Sequence, residues 1–394
     1  MSIEWNPSQG PTLGIEWEVQ LVDPETRMLR QDAATVLAAL DGLTESGEHP
    51  KLKHELMQST VEVVTGICGT VAEAVADLAV TVKELQRAAQ PHGIVLAACG
   101  THPMSDWRDA KTAPSQRYYE LLERLQWPAR KLEICAAQVH VGLRDGDRAM
   151  QIINALATYI PHFLGLTASS PFWSGHDTGL ASARSVVFGA LPNTGPPPLL
   201  PAWKDFEEFM NAQIRAGAIR TIKEVWWDVR PHPDYGTVEI RICDAVPTSR
   251  EIGMLAALAQ CLVHQLDTQL NRGYGLPSRP EWVLRDNKWR AVRYGLDAMV
   301  ITDDRGTTAP LRDDIYELLR ELEPMAWRLG CADELAVADE VLQGGASYER
   351  QRAARARGDL NGVVDALVAE FAEDRFVLPE PAGDLPPALA SYIQ

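Results

Sequence analysis

Residues 12 to 21 read Thr-Leu-Gly-Ile-Glu-Trp-Glu-Val-Gln-Leu, and the alternation places Glu16 and Glu18 on one face of a strand whose other face is Leu13, Ile15, Trp17, Val19 and Leu21. Same-face neighbours on a strand lie about 6.6 to 6.8 Å apart. Two carboxylates at that spacing can serve two adjacent cations but not chelate one. A half-exposed strand of an acidic protein alternates in the same way, so the pair alone decides nothing. Other segments repeat the pattern. Glu55 and Lys53 alternate with Leu52, His54 and Leu56, and Glu62 lies between Val61 and Val63. In 132–143, Gln138, His140 and Gly142 oppose Val139, Val141 and Leu143; in 236–244, Thr237, Glu239 and Arg241 oppose Val238, Ile240 and Ile242. Six groups, Glu16, Glu18, Glu55, Glu62, His140 and Glu239, can therefore project from one sheet face.

Five carboxylates and one imidazole, with no thiolate among them, suit a hard divalent cation such as Mg²⁺ or Mn²⁺ better than a structural zinc. Without a cation such a face would have to hold protons or repel itself. Arginines accompany the acids: Arg184 in Thr178-Gly-Leu-Ala-Ser-Ala-Arg-Ser185, Arg230 and Arg241 on either side of Pro231-His-Pro-Asp-Tyr-Gly236, and Arg293 in Asn287-Lys-Trp-Arg-Ala-Val-Arg-Tyr-Gly295. A guanidinium fork matches carboxylate and phosphate oxygens, as phosphoryl transfer between a nucleotide and a carboxylate requires. Taken singly, each arginine is equally a surface or ion-pair residue. The chain has no Walker loop, no G-x-G-x-x-G and no G-x-S-x-G. Any bound phosphates would have to be held by metals and arginines.

The elements that must position these groups are strands near 12–22, 51–56, 60–65, 94–99, 132–143, 226–230 and 236–244, among helices near 70–90, 145–167, 204–217 and 249–272. Thr70 with Glu73 three residues on forms a capping box for the first of these helices. After about 275 the pattern is almost wholly helical, with stretches near 281–298, 310–329, 332–343, 347–357 and 359–373 before a Pro-rich tail. Strands with one polar and one apolar face that do not alternate with single helices predict an α+β fold with a mainly antiparallel sheet. We expect one catalytic domain over 1–394, with a sheet-containing core at 1–275, a helical part at 276–378 and the tail at 379–394.

The chain has 394 residues, 46% hydrophobic and 23% charged, enough for a substantial core. Its net charge of −17 repels nucleic-acid backbones. With no 18-residue apolar run and no signal-like N-terminus, neither a membrane nor secretion is expected, and the cytoplasm is the expected compartment. Six scattered cysteines without C-x-x-C spacing argue against zinc knuckles and disulfide frameworks. The helical C-terminal third and the apolar stretch 249–263 leave room for a homodimer.

Several segments together resemble the carboxylate-amine ligases of the glutamate-cysteine ligase type 2 group. They are Leu13-Gly-Ile-Glu-Trp-Glu-Val19, His54-Glu-Leu-Met-Gln-Ser-Thr-Val-Glu-Val-Val-Thr65, Val139-His-Val-Gly142, Ser170-Pro-Phe-Trp173, Trp227-Asp-Val-Arg-Pro-His-Pro233, Gly236-Thr-Val-Glu-Ile-Arg-Ile-Cys-Asp244 and Arg290-Ala-Val-Arg-Tyr-Gly-Leu-Asp-Ala298. The resemblance implies a glutamine-synthetase-like fold, a curved antiparallel sheet whose concave face holds ATP and two or three Mg²⁺ ions, with Mn²⁺ as a substitute. It also implies metal ligands at Glu16, Glu18, Glu55, Glu62, His140 and Glu239, catalytic roles for Arg241 and Glu239, nucleotide contacts from Arg230, Arg241 and Arg293, and substrate contacts from Arg184, Gln138 and Thr237. Many members carry histidine where this chain has Gln138. The implied reaction is ATP-dependent amide formation between an amino-acid carboxylate and an amine, glutamate and cysteine by default. A metal-dependent amide hydrolase and a non-catalytic nucleotide- or amino-acid-binding homologue stand as alternatives.

Overall fold

The computed structural model describes residues 2–377 except 9 and 46, so the Pro-rich tail expected at 379–394 lies outside the described residues. Seven strands form one sheet, β1 (Leu13–Val22), β2 (Leu52–His54), β3 (Thr60–Val64), β4 (Val95–Ala97), β5 (Ala137–Gly142), β6 (Val229–His232) and β7 (Thr237–Ile240), in the order β6-β7-β5-β1-β3-β2. The far end of β1 also pairs with β4. Every pairing within the sheet is antiparallel, as the alternating faces predicted.

One face of the sheet is apolar and dry. Leu13, Ile15, Trp17, Val19, Val61, Val63, Val139, Val141, Val238 and Ile240 are all at most 2% exposed. The helix Ser249–Asn271 crosses behind this face, and residues 251–263 are buried all round, the pattern of a helix enclosed by other elements rather than lying on a surface. Helices Val71–Ala89 and Gly146–Leu156 pack beside it. The Thr70–Glu73 capping box is present. Among the described residues no helix is long and apolar enough to cross a membrane.

Several boundaries differ from the sequence reading, each for a local reason. The span 145–167 is two helices, Gly146–Leu156 and Ile160–Thr167, because Pro161 starts a new helix after a short 3₁₀ turn. Helix 281–298 stops at Tyr294, where Gly295 adopts φ +57 and a Cβ would strike the Tyr348 ring. The C-terminal part is not wholly helical: Met299–Ile301 and Thr308–Pro310 form a hairpin around Asp303 and Gly306. Short helices at Ala33–Ala38, Gln116–Leu125 and Ala183–Phe188 went unread.

The central helix is tied to the C-terminal helices by ionised groups rather than by packing alone. Thr248 caps its start through the Glu251 amide, and the buried Glu251 carboxylate accepts from Arg350 at 2.8 Å. Arg350 also donates to Glu370 at 2.7 and 3.2 Å, and all three residues are at most 4% exposed. Removing the cation strands two buried carboxylates, at about 3–5 kcal/mol. Arg350→Met should therefore lower unfolding free energy by that amount in a denaturant titration, and a loss below about 1 kcal/mol would show that the cluster is dispensable.

Candidate active site

The strand register fixes which groups meet. Across the sheet Arg230 stands opposite Glu239, Glu239 opposite His140, and His140 opposite Gly14. The next rows place Gln138 opposite Glu16, and Glu18 opposite Glu62, which in turn faces Lys53. Two clusters result, Glu16 with His140 and Glu239, and Glu18 with Glu55 and Glu62. In each, one ligand atom per residue lies within 4.8 Å of the others. The adjacent pair that opened the sequence analysis is thus divided, one carboxylate to each cluster.

The clusters are held differently. In the first, His140 Nε2 is 3.1 Å from Glu16 Oε1 and its Nδ1 is 3.0 Å from Thr237 Oγ1, which fixes the ring. Glu239 accepts from Arg230 at 2.7 and 3.1 Å and from Arg241. Burial opposes the charge on Glu239, but Arg230, Arg241 and His140 overcome it and hold the carboxyl well below its usual range. Burial likewise opposes ionisation of Glu16 and of His140; their mutual hydrogen bond, with the Glu239 charge acting on His140, nevertheless lowers the acid and raises the base. This half carries its own counter-charges.

The second cluster carries none of comparable reach. Burial, then the neighbouring Glu55 charge, push Glu18 up to about 8. Burial and three neighbouring carboxylates raise Glu62 well above the usual range, and burial raises Glu55. Glu18 accepts from the Ala136 amide at 2.7 Å, and Glu55 from its neighbour Leu56. Three carboxylates, Glu18 buried and Glu55 and Glu62 half-buried, form an all-oxygen donor set that fits a hard dication.

The second cluster and Glu16 line one cavity of about 450 Å³, as do Arg230 and Arg241; His140 and Glu239 do not line it and are joined to it through their bonds to Glu16, Arg230 and Arg241. Its walls include residues the sequence reading passed over: Lys53, Arg117 and Tyr118 near the second cluster, and Trp226, His232 and Tyr235 toward β6. Arg117 and Tyr118 come from the unread helix Gln116–Leu125, and no motif pointed to them. His232 and Tyr235 stack at 4.2 Å beside His140, and the Pro231–Gly236 turn was the available signal.

The remaining expected residues have other neighbours. Arg184, 4% exposed, reaches the cavity edge but spends its Nη groups on the carbonyls of Ile242 and Arg241, 3.0 and 3.2 Å away. Thr237 bonds His140 rather than facing the cavity. Arg293 does not line the cavity; it donates to the Gly179 carbonyl and lies over the Tyr294 ring.

Comparison with known proteins places this geometry in context. Residues 12–370 match the model of glutamate-cysteine ligase family 2. A Thermobifida fusca protein provisionally named glutamate–cysteine ligase 2 is 61% identical over 94% of this chain and 93% of its own length. A relative from Frankia alni with the same provisional family name is 53% identical over 96% of this chain and its full length. Among solved structures, the glutamate–cysteine ligase of Francisella tularensis in complex with AMP superposes with a TM-score of 0.65 at 13% identity, over 98% of this chain and 92% of that one. A bifunctional glutathione synthetase from Pasteurella multocida gives 0.66 at 14% identity, over 93% of this chain and 53% of that one. The α+β fold is thus the glutamine-synthetase-like one that the alternating strands and the resemblance implied. On the match over residues 12–370, the chain belongs to glutamate-cysteine ligase family 2, and with it to the ATP-dependent carbon–nitrogen ligases.

Proposed function

We infer that this ligase joins the carboxylate of an amino acid to an amine through an acyl phosphate, with glutamate and cysteine as the default pair. The observation that carries this reading is one cavity lined by Glu16, Glu18, Glu55 and Glu62 together with the guanidiniums of Arg230 and Arg241. AMP in the Francisella ligase supports ATP as the phosphoryl donor. In the first step a carboxylate oxygen attacks the γ-phosphorus and ADP leaves. In the second the amine nitrogen attacks the acyl carbon, phosphate leaves and the nitrogen gives up a proton.

Glu18, Glu55 and Glu62 would hold one Mg²⁺, and Glu16, His140 and Glu239 a second. Bound there, the ions would neutralise phosphate oxygens. The chain's own groups do the rest. Thr237 keeps the His140 ring in one orientation. Glu239 holds Arg230 and Arg241 over the cavity floor, charged and aimed, so that Arg241 can follow negative charge onto the moving phosphoryl group with little reorganisation.

Purified protein given ATP, Mg²⁺, glutamate and a panel of amines should release phosphate only when an amine is present. Absence of amine-dependent turnover with every amino acid would overturn the reading. Glu62→Gln should lower that turnover at least about 10²-fold while leaving the metal-free fold as stable or more so, because burial and the charges of Glu16, Glu55 and Glu18 all disfavour an ionised carboxyl there. Glu239→Gln should do the opposite to the fold and lower its stability by about 2–4 kcal/mol, since two buried guanidiniums lose their counter-charge.

Glu18 gives a pH signature. Its carboxyl is raised in the folded protein to about 8 and ionises near 4.5 when unfolded. The protonated form therefore favours the fold, and this contribution is complete below about 4.5 and fades as pH rises toward 8. In EDTA, Glu18→Gln should gain stability relative to the parent across pH 5 to 8, approaching about 1.4 kcal/mol per pH unit. A constant difference across that range would contradict the burial account.

A further inference from the structure

Between the two carboxylate clusters stands one neutral side chain. Gln138 lies on β5 directly opposite Glu16, two residues before His140, and is 4% exposed although it lines the cavity. Its Oε1 accepts from Arg241 Nη1, and its Nε2 lies 3.4 Å from Glu18 Oε1. A guanidinium can only donate, so Arg241 takes the amide oxygen and the Gln138 N–H groups are turned toward Glu18. Among the described residues Arg241 Nε has no hydrogen-bond partner, and the guanidinium's hydrogen bonds go to Glu239 and Gln138.

We propose that Gln138 is the positioning residue for Arg241, its amide fixing the guanidinium between the clusters by accepting from Arg241 while donating to Glu18. This rests on the reading of Arg241 as the group that follows the transferring phosphoryl. It replaces the substrate contact that the sequence suggested for Gln138. A carboxylate at 138 would hold Arg241 but repel Glu18, and an apolar side chain would hold neither. A neutral imidazole has the same one-donor, one-acceptor chemistry, so histidine is the conservative replacement.

The test compares Gln138→Met, Gln138→Glu and Gln138→His with the parent in steady-state turnover, thermal unfolding and affinity for a non-hydrolysable ATP analogue with Mn²⁺. A guanidinium displaced by about 1 Å costs on the order of 10²-fold in rate. The Met and Glu variants should lose about that factor in kcat per folded enzyme, with the KM for each substrate changed less than about threefold and the melting temperature of the Met variant lowered by only a few degrees. The His variant should recover most of the rate. A raised KM for the amino acid or amine at unchanged kcat would make Gln138 a substrate contact and overturn the proposal. A fall in melting temperature with unchanged kcat per folded enzyme would make it merely structural and also overturn it. If the parent itself shows no amine-dependent turnover, the functional reading fails, and the positioning claim is still decided by analogue affinity. With Arg241→Met as the background, Gln138→Met should then have no further effect, whereas additive losses would show that the two side chains act separately.

Discussion

Gathering five carboxylates in one site, Glu18 and Glu239 buried and Glu16, Glu55 and Glu62 half-buried, is the constraint around which the rest of this structure is arranged. Ionised carboxyls transferred out of water lose several kcal/mol of solvation each, and like charges within 5 Å add to the cost. The protein meets that cost in two ways on the same face. Around Glu239 it supplies Arg230, Arg241 and the His140 imidazole, which hold the Glu239 carboxyl well below its usual range despite burial. Around Glu62 it supplies almost nothing, so the acids keep protons until a cation replaces them. One half is a fixed charge lattice and the other a vacancy in charge.

This division follows from register, not from any single residue. Because side chains alternate with period two, Glu16 and Glu18 share a face but stand in different cross-strand rows, and each row recruits different partners. A slip of one residue between β1 and β5 would turn Gln138 and His140 into the core and bring Val139 to the cavity. The dry face prevents it. Residues 13, 15, 17, 19 and 21 are locked against the helix Ser249–Asn271, and that helix is pinned by the buried Arg350 cluster. The ion pair among the C-terminal helices thus belongs to the same chain of constraints as the cavity floor.

The part of the site carried by regular strands was legible in the sequence, since alternation alone placed Glu16, Glu18, Glu62, His140 and Glu239 on one face and the structure gathers them there into two clusters. Glu55 was placed by extending a strand that ends at His54, so its arrival in the cluster depends on a turn that periodicity does not encode. Arg117 and Tyr118 were missed although their ten-residue helix is amphipathic, because it buries no residue and periodicity does not tell which of its side chains meet the cavity. Arginines were the least legible group. Their reach of several rotatable bonds lets the same side chain face phosphate or bind a backbone carbonyl, and Arg184 and Arg293 do the latter.

Such a face also explains why a neutral amide at its centre is worth its place. In a field of alternating formal charges, a further acid at 138 would deepen the repulsion around Glu18 and a further base would compete with Arg241 for Glu239. An apolar residue would leave a guanidinium and a carboxylate each short of a partner in a low-dielectric site, where an unmade hydrogen bond costs about 1–3 kcal/mol. Only a group that is donor and acceptor at once can stand between them without adding charge. The same reasoning accounts for Thr237, whose hydroxyl meets His140 in whichever tautomer the neighbouring acid demands. On this sheet the charged residues carry the chemistry, and the neutral polar ones keep those charges apart at fixed distances.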